Sequence, residues 1–163
     1  MTTYIPFSPS QISVFSAQVT LDGQTYNLTT PWNVFGQRYY LNVSGFNGNL
    51  IFSLPLISSP TGVYIASISW NNGTVSVTTE TPHNYPLGSS VELNIINCAP
   101  AAYNGTHICT ITGVNSFNYM LAADPGVNTT LGAAQYNINL VGGYFTASTL
   151  VFRESPQQFE VMP

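Results

Sequence analysis

The sequence predicts an all-β protein: a β-sandwich or partly open β-barrel carrying a second, small inserted β-module. Three observations lead there. β-branched and aromatic residues dominate, no segment carries helical periodicity, and turn signals recur about every eight to twelve residues. A hydrophobic fraction of 44% over 163 residues is enough to bury a core in one domain with a small second module, and argues against disorder.

Taken in order, "QISVFSAQVTL" alternates apolar and polar positions as a half-buried strand does, and Asp22-Gly23 is a two-residue hairpin signal leading into the return strand "QTYNLTT". "QRYYLNV" and "NLIFSLPL" read as a second hairpin across "SGFNG", whose glycines permit positive φ. "TGVYIASISW" is a further strand, ended by the turn at Asn71 to Gly73. Four short strands follow in a Thr- and Asn-rich stretch: "TVSVTT", "SVELNII", "HICTITGV" and "FNYML". Between the first two, Pro82 and Pro86 lack ladder donors and impose a loop to Gly88. After the loop "DPGVNTTLG" come "AQYNINLV", "FTASTLVF" and "QQFEVMP".

Charged residues are only 5% of the chain, against roughly a quarter in an average domain, and the formal net charge is -4. Arg38 and Arg153 are its two cations, and there is no lysine. Nucleic-acid binding rests on Lys and Arg neutralising phosphates, so it is excluded. A basic membrane-binding patch is missing, no apolar run approaches the ~20 residues of a spanning helix, and "MTTYIPFSPS" does not read as a secretory signal. So few charges also supply little mutual repulsion to keep copies apart, which fits a subunit packed permanently among neighbours.

Chemistry is sparse. Of six carboxylates, Asp22 and Asp124 belong to turns where they cap backbone amides, and Glu80 and Glu92 flank a loop without being marked as a pair. None of the usual nucleophile-turn, phosphate-loop or zinc-protease motifs occurs, so no enzyme activity and no cofactor are expected. Cys98 and Cys109 are compatible with a disulfide across a turn and equally with two half-buried thiols. His107 and Cys109 would share one strand face, but further ligands are not evident, so no metal site is expected. The five Asn-X-Ser/Thr sequons are read as a by-product of an Asn- and Thr-rich chain.

The segment "FSAQVTLDGQTYNLTTPWN", followed by "WNVFGQRYYLNV" and "NLIFSLPLISSP", resembles the phage baseplate plug family, short β proteins in the baseplates of tailed bacteriophages. The resemblance returns in "NINLVGGYFTASTLVFRESPQQFEVMP", with a leucine before an aromatic-Arg pair and a closing "FEV". Between them, "TPHNYPLGSSVEL", "YNGTHICTITGV" and "FNYMLAADPG" resemble small β-modules of phage tail and fibre proteins. The implied organisation is a plug-like β domain of residues 1–66 plus 135–163, with residues 67–134 inserted.

The resemblance implies a structural role: plugging or sealing the inner baseplate and bridging subunits of the central hub or spike, the tail tube and the inner baseplate. Several copies in a ring are implied, made in the host bacterial cytoplasm and carried in the virion. Interfaces of this kind favour aromatics and uncharged hydrogen bonds, because buried unpaired charge is costly. Arg38 is then placed for a purpose: a fork onto Glu154 or Glu160, or a stack on Trp32, Tyr39 or Tyr40, clamping the ends of its domain or touching another subunit. Arg153 and the terminal residues Tyr4 and Phe7 complete the interface or domain-clamp candidates, with "MTTYIPF" and "FEVMP" as segments for strand exchange. The rival reading is a carbohydrate-binding β-module of a phage fibre or adhesin, which expects Trp70, Tyr64 or Tyr85 exposed on a concave face.

Overall fold

The computed structural model describes residues 1–162. They contain no α-helix and a single turn of 3-10 helix at Ala101–Tyr103, so the all-β expectation holds. Two compact units are present: residues 1–59 with 138–162, and residues 60–137.

The first unit holds eight strands: β1 (Thr3–Pro6), β2 (Phe15–Leu21), β3 (Gln24–Thr30), β4 (Trp32–Asn33), β5 (Arg38–Ser44), β6 (Leu50–Pro55) and, after the insertion, β13 (Thr149–Arg153) and β14 (Gln158–Met162). β2 and β3 form a hairpin closed by Asp22 (φ 47°) and Gly23 (φ 76°), both left-handed as a type I′ turn demands. β3 and β4 run along one side of β5 and β6 pairs with its other side, giving a sheet in the order β2-β3-β5-β6 with β4 continuing the β3 side. The second sheet is β1-β14-β13. The alternation predicted from sequence puts Val19, Leu21, Leu28, Leu41, Val43 and Phe52 on the inner face of the first sheet, where they meet Leu150, Phe152, Phe159 and Val161 of the second.

One long-range tie holds this unit. The Asp22 carboxylate accepts the N–H groups of Thr146 (2.9 Å), Ala147 (3.1 Å) and Ser148 (2.8 Å), while Ser148 Oγ accepts the Asp22 N–H. Asp22 therefore caps amides, as expected of a turn aspartate, but those of a segment far along the chain. The Thr146 N–H above all, with the other amides, holds its carboxyl below the ordinary value.

The second unit contains β7 (Val63–Asn71), β8 (Thr74–Thr79), β9 (Ser90–Ile96), β10 (Gly105–Ile111), β11 (Ser116–Met120) and β12 (Ala133–Tyr136). They close into a six-stranded antiparallel barrel in the order β10-β11-β8-β7-β12-β9. Asn72 (φ 47°) and Gly73 (φ 86°) make its β7–β8 turn of the same mirror-image type. Val75, Val77, Leu93, Ile95, Cys109, Ile111, Phe117 and Tyr119 fill the core. Closure needs Gly132: a Cβ there would drive into the Ile96 carbonyl, and the Gly132 carbonyl accepts the Ile65 N–H at 3.0 Å.

Two expectations are corrected here. The boundaries at 66/67 and 134/135 move outward to 59/60 and 137/138, because Tyr64 pairs with Ala133 and Ile65 with Thr79, so all of β7 belongs to the barrel. The ends "MTTYIPF" and "FEVMP" do not stand as free strands. Thr3 pairs with Val161, Tyr4 with Glu160, Ile5 with Phe159 and Pro6 with Gln158, so each end uses the other.

Candidate functional site

The residues that the sequence singles out gather around the β4–β5 hairpin and the end of the β13–β14 hairpin. β5 alternates: Tyr39, Leu41 and Val43 turn to the core, while Tyr40 and Asn42 turn outward. Trp32 lies opposite Tyr39 in the register, and their rings meet edge to face at 4.8 Å. Tyr39 in turn meets Phe7 at 5.4 Å.

Phe7 is core. It is 5% exposed, and its ring stands edge-on to Phe15, Tyr39, Phe152 and Phe159 at 5.2–5.7 Å. The backbone fixes it there, since its N–H donates to the Gln157 carbonyl at 2.9 Å. Tyr4, three positions earlier on β1, is exposed.

Arg38 does not make the clamp. Its side chain is exposed, and its Nε–H donates to the Gly36 carbonyl at 3.3 Å; among the described residues it forms an ion pair with neither Glu154 nor Glu160. The ion pair belongs to the other arginine. Arg153 Nε lies 3.3 Å from Glu160 Oε2, with both side chains mostly buried, and Gln158 Nε2 donates to Glu160 Oε1 at 3.2 Å. Register explains the choice: Arg153 faces Gln158 across the β13–β14 ladder, so Glu160 is its diagonal neighbour. The segment "FRESPQQFEV" already carried that signal, because a turn at Ser155-Pro156 folds Arg153 back toward Gln158 and Glu160. Arg38 and Glu154 instead both line one groove of about 290 Å³, with Trp32, Tyr39 and Phe152 also in its lining.

Loop tips of this unit carry large apolar side chains in solvent. Phe35, at the turn between β4 and β5, is fully exposed, as is Ile12 in the loop before β2, and Phe46 at the β5–β6 turn is 81% exposed. The β4–β5 turn is nevertheless held in shape, with the Gly36 N–H donating to Asn33 Oδ1 at 2.8 Å.

In the barrel unit the histidines and cysteines are packed among other side chains. His83 is buried and stacks on Tyr85 at 4.9 Å; its Nδ1 accepts the Tyr85 N–H, and its Nε2 faces the Ser116 carbonyl at 3.4 Å. His107 stacks on Tyr119 at 4.2 Å, its Nε2 is buried without a hydrogen-bond partner among the described residues, and burial pushes its imidazole below the ordinary value. Cys98 and Cys109 are both buried free thiols. Cys109 faces Val91 in the ladder while Cys98 lies beyond the end of β9, which is why strand pairing does not join them. Burial pushes the Cys109 thiol up to about 12. No group of three or more His, Cys, Asp or Glu among the described residues is placed to hold a metal ion. Glu80 and Glu92 are both exposed. Of the three aromatics expected on a concave face, Trp70 donates its indole N–H to the Leu121 carbonyl at 2.8 Å and Tyr85 is stacked on His83, leaving Tyr64 exposed.

Compared with protein-family models, curated proteins and solved structures, the chain matches none.

Proposed function

We propose that the protein is a structural component of a bacteriophage tail baseplate, plugging or sealing its inner part and bridging neighbouring hub, tube and baseplate subunits. It acts by packing, without bond chemistry of its own, in several copies within the virion after synthesis in the host cytoplasm. The observation that carries this reading is the set of large apolar side chains standing in solvent at loop tips, Ile12, Phe35 and Phe46, on a chain with so few charges. The sequence resemblance to baseplate plug proteins supplies the setting.

The energetics favour a many-contact assembly over a single pairwise complex. Burying one such side chain yields about 1.5–3 kcal/mol, so three yield about 5–9 kcal/mol before costs. Association itself costs about 4–15 kcal/mol, so one copy on one partner is weakly held by these anchors alone. Copies linked in a ring share that cost, and effective concentration makes the whole far tighter than each contact. Mass spectrometry of purified virions tests the reading, with crosslinking from Phe35→Cys to locate the neighbour. The expected result is the protein at fixed stoichiometry with baseplate subunits; a chain absent from intact particles and monomeric in infected cells overturns it.

A further inference from the structure

Apart from Arg38 at the start of β5, the outward positions of the β2-β3-β5-β6 sheet carry no charge. Antiparallel sheets with one wet face alternate apolar-in and polar-out, and here the polar set is almost wholly neutral. Here a transverse row runs Ser16–Thr29–Asn42–Ser53 across all four strands, each residue directly opposite the next in the register. Neighbouring strands lie about 4.8 Å apart, so the row presents a hydroxyl or amide at that interval over about 14 Å.

One end of the row runs into a groove of about 530 Å³ on the same face. Asn42 and Ser53 lie in it, with Trp32, Phe35, Tyr40 and Asn33 around them, and its lining contains no ionisable group other than the Tyr40 phenol. The Tyr40 hydroxyl, the Asn42 amide and the Ser53 hydroxyl make no hydrogen bond within the described residues, while the Trp32 ring rests on Tyr39 at the groove's edge. Those three polar groups are open to a ligand.

We propose that this groove binds an uncharged, hydroxyl-rich ligand: a neutral oligosaccharide. Aromatic faces beside unengaged neutral donors and acceptors match the apolar faces and hydroxyl edges of hexose rings, and a groove without fixed charge gives an anionic chain nothing to pair with. The groove floor, β5, is hydrogen-bonded on both sides, so an extended peptide would have to add to the edge of β6, which pairs only with β5; binding that Tyr40→Ala and Asn42→Ala leave unchanged would mark that mode instead. The platform is distinct from Tyr64, Trp70 and Tyr85; because Phe35 is also one of the loop-tip anchors of the proposed assembly, the groove is open to sugar in copies whose β4–β5 turn no neighbour covers.

Titration of the full chain with maltohexaose, cellohexaose and laminarihexaose tests it, read by Trp32 fluorescence in a Trp70→Phe background, with sialyllactose and polygalacturonate as charged probes. The expected result is saturable binding of at least one neutral probe, weakened about tenfold or more by Tyr40→Ala and by Asn42→Ala, a loss equal to one central contact. Ser53→Ala, which removes only a hydroxyl from an exposed position, weakens binding in the same direction. Glu154→Gln, in the neighbouring groove, leaves binding unchanged, and urea midpoints of the Tyr40, Asn42 and Ser53 variants close to the parent's show that they stay folded. The proposal is overturned by binding of none of the neutral probes, by binding of the charged probes alone, by equal affinity in the Tyr40, Asn42 and Ser53 variants, or by a groove that instead pairs two copies of the chain in sedimentation analysis.

Discussion

Phe7 stands where four other rings meet, so truncating it asks whether the N-terminal segment is core or contact surface. The Phe7→Ala variant loses edge-to-face contacts with Phe15, Tyr39, Phe152 and Phe159, all within 5.7 Å, from a side chain that is 5% exposed. Removing a buried Phe costs about 3–5 kcal/mol, and four ring pairs place this site in the upper half of the range. With a urea dependence of about 2 kcal/mol/M for a unit of this size, a loss of about 4 kcal/mol lowers the unfolding midpoint by about 2 M. Trp32 reports the transition, because its ring rests on Tyr39 in the same unit, and a Trp70→Phe background silences the barrel. Phe7→Leu keeps part of the volume and falls between. Phe35→Ala, fully exposed, stays within about 0.5 kcal/mol of the parent. A Phe7→Ala midpoint within about 0.5 M of the parent, about 1 kcal/mol, would refute the assignment of Phe7 to the core.

In the barrel, Gly132→Ala forces a methyl against the Ile96 carbonyl, and overpacking of this kind costs about 1–3 kcal/mol or more; hydrogen exchange should accelerate in β9 and β12 first, and unchanged protection there would contradict the closure geometry. Asp22 has a folded pKa depressed below 3.8, so its contribution is complete above that value and is lost as pH falls through the folded pKa; the acid-side stability slope should shrink in Asp22→Asn, and carboxyl NMR titration at or above 3.8 would sink the idea. The Cys109 thiol titrates the other way: raised from 9.0 to about 12, it contributes fully below about pH 9 and loses that contribution as pH rises toward 12. The folded chain should therefore resist thiol reagents at pH 8, and two rapidly modified thiols would refute the buried placement. Acid acts on His107, held neutral by burial, so stability should also decline as pH drops below about 6.5, a component absent in His107→Phe if the stack on Tyr119 is kept.

Local chemistry made most of the fold legible. Asp22-Gly23 and Asn72-Gly73 announce their turns through the positive φ that those pairs tolerate, and strict alternation in "FSAQVTL" and "SVELNII" marks which face is buried. What escaped reading depends on partners distant in sequence. β1 has no alternation of its own and exists because β14 offers it a ladder. Arg38 draws the eye between Trp32 and Tyr39, yet the ion pair falls to Arg153, since only the β13–β14 register decides which carboxylate lies within reach. Asn42 and Ser53 look like any outward positions until the sheet lines them up beside Tyr40. Phe7 sits in a Pro- and Ser-rich stretch that reads as surface, and only the assembled rings reveal its burial.

The pairing of β1 with β14 sets an order of events during synthesis. Residues 60–137 hold every strand of the barrel, so that unit has all its partners while the ribosome is still adding the remainder. Thr3, by contrast, must wait for Val161, and the sheet it belongs to closes only after the whole inserted module has been made. The inserted module thus matures first, and Ile5 and Phe7 stay uncovered until β14 has been made, the interval in which chaperone protection matters most for this unit.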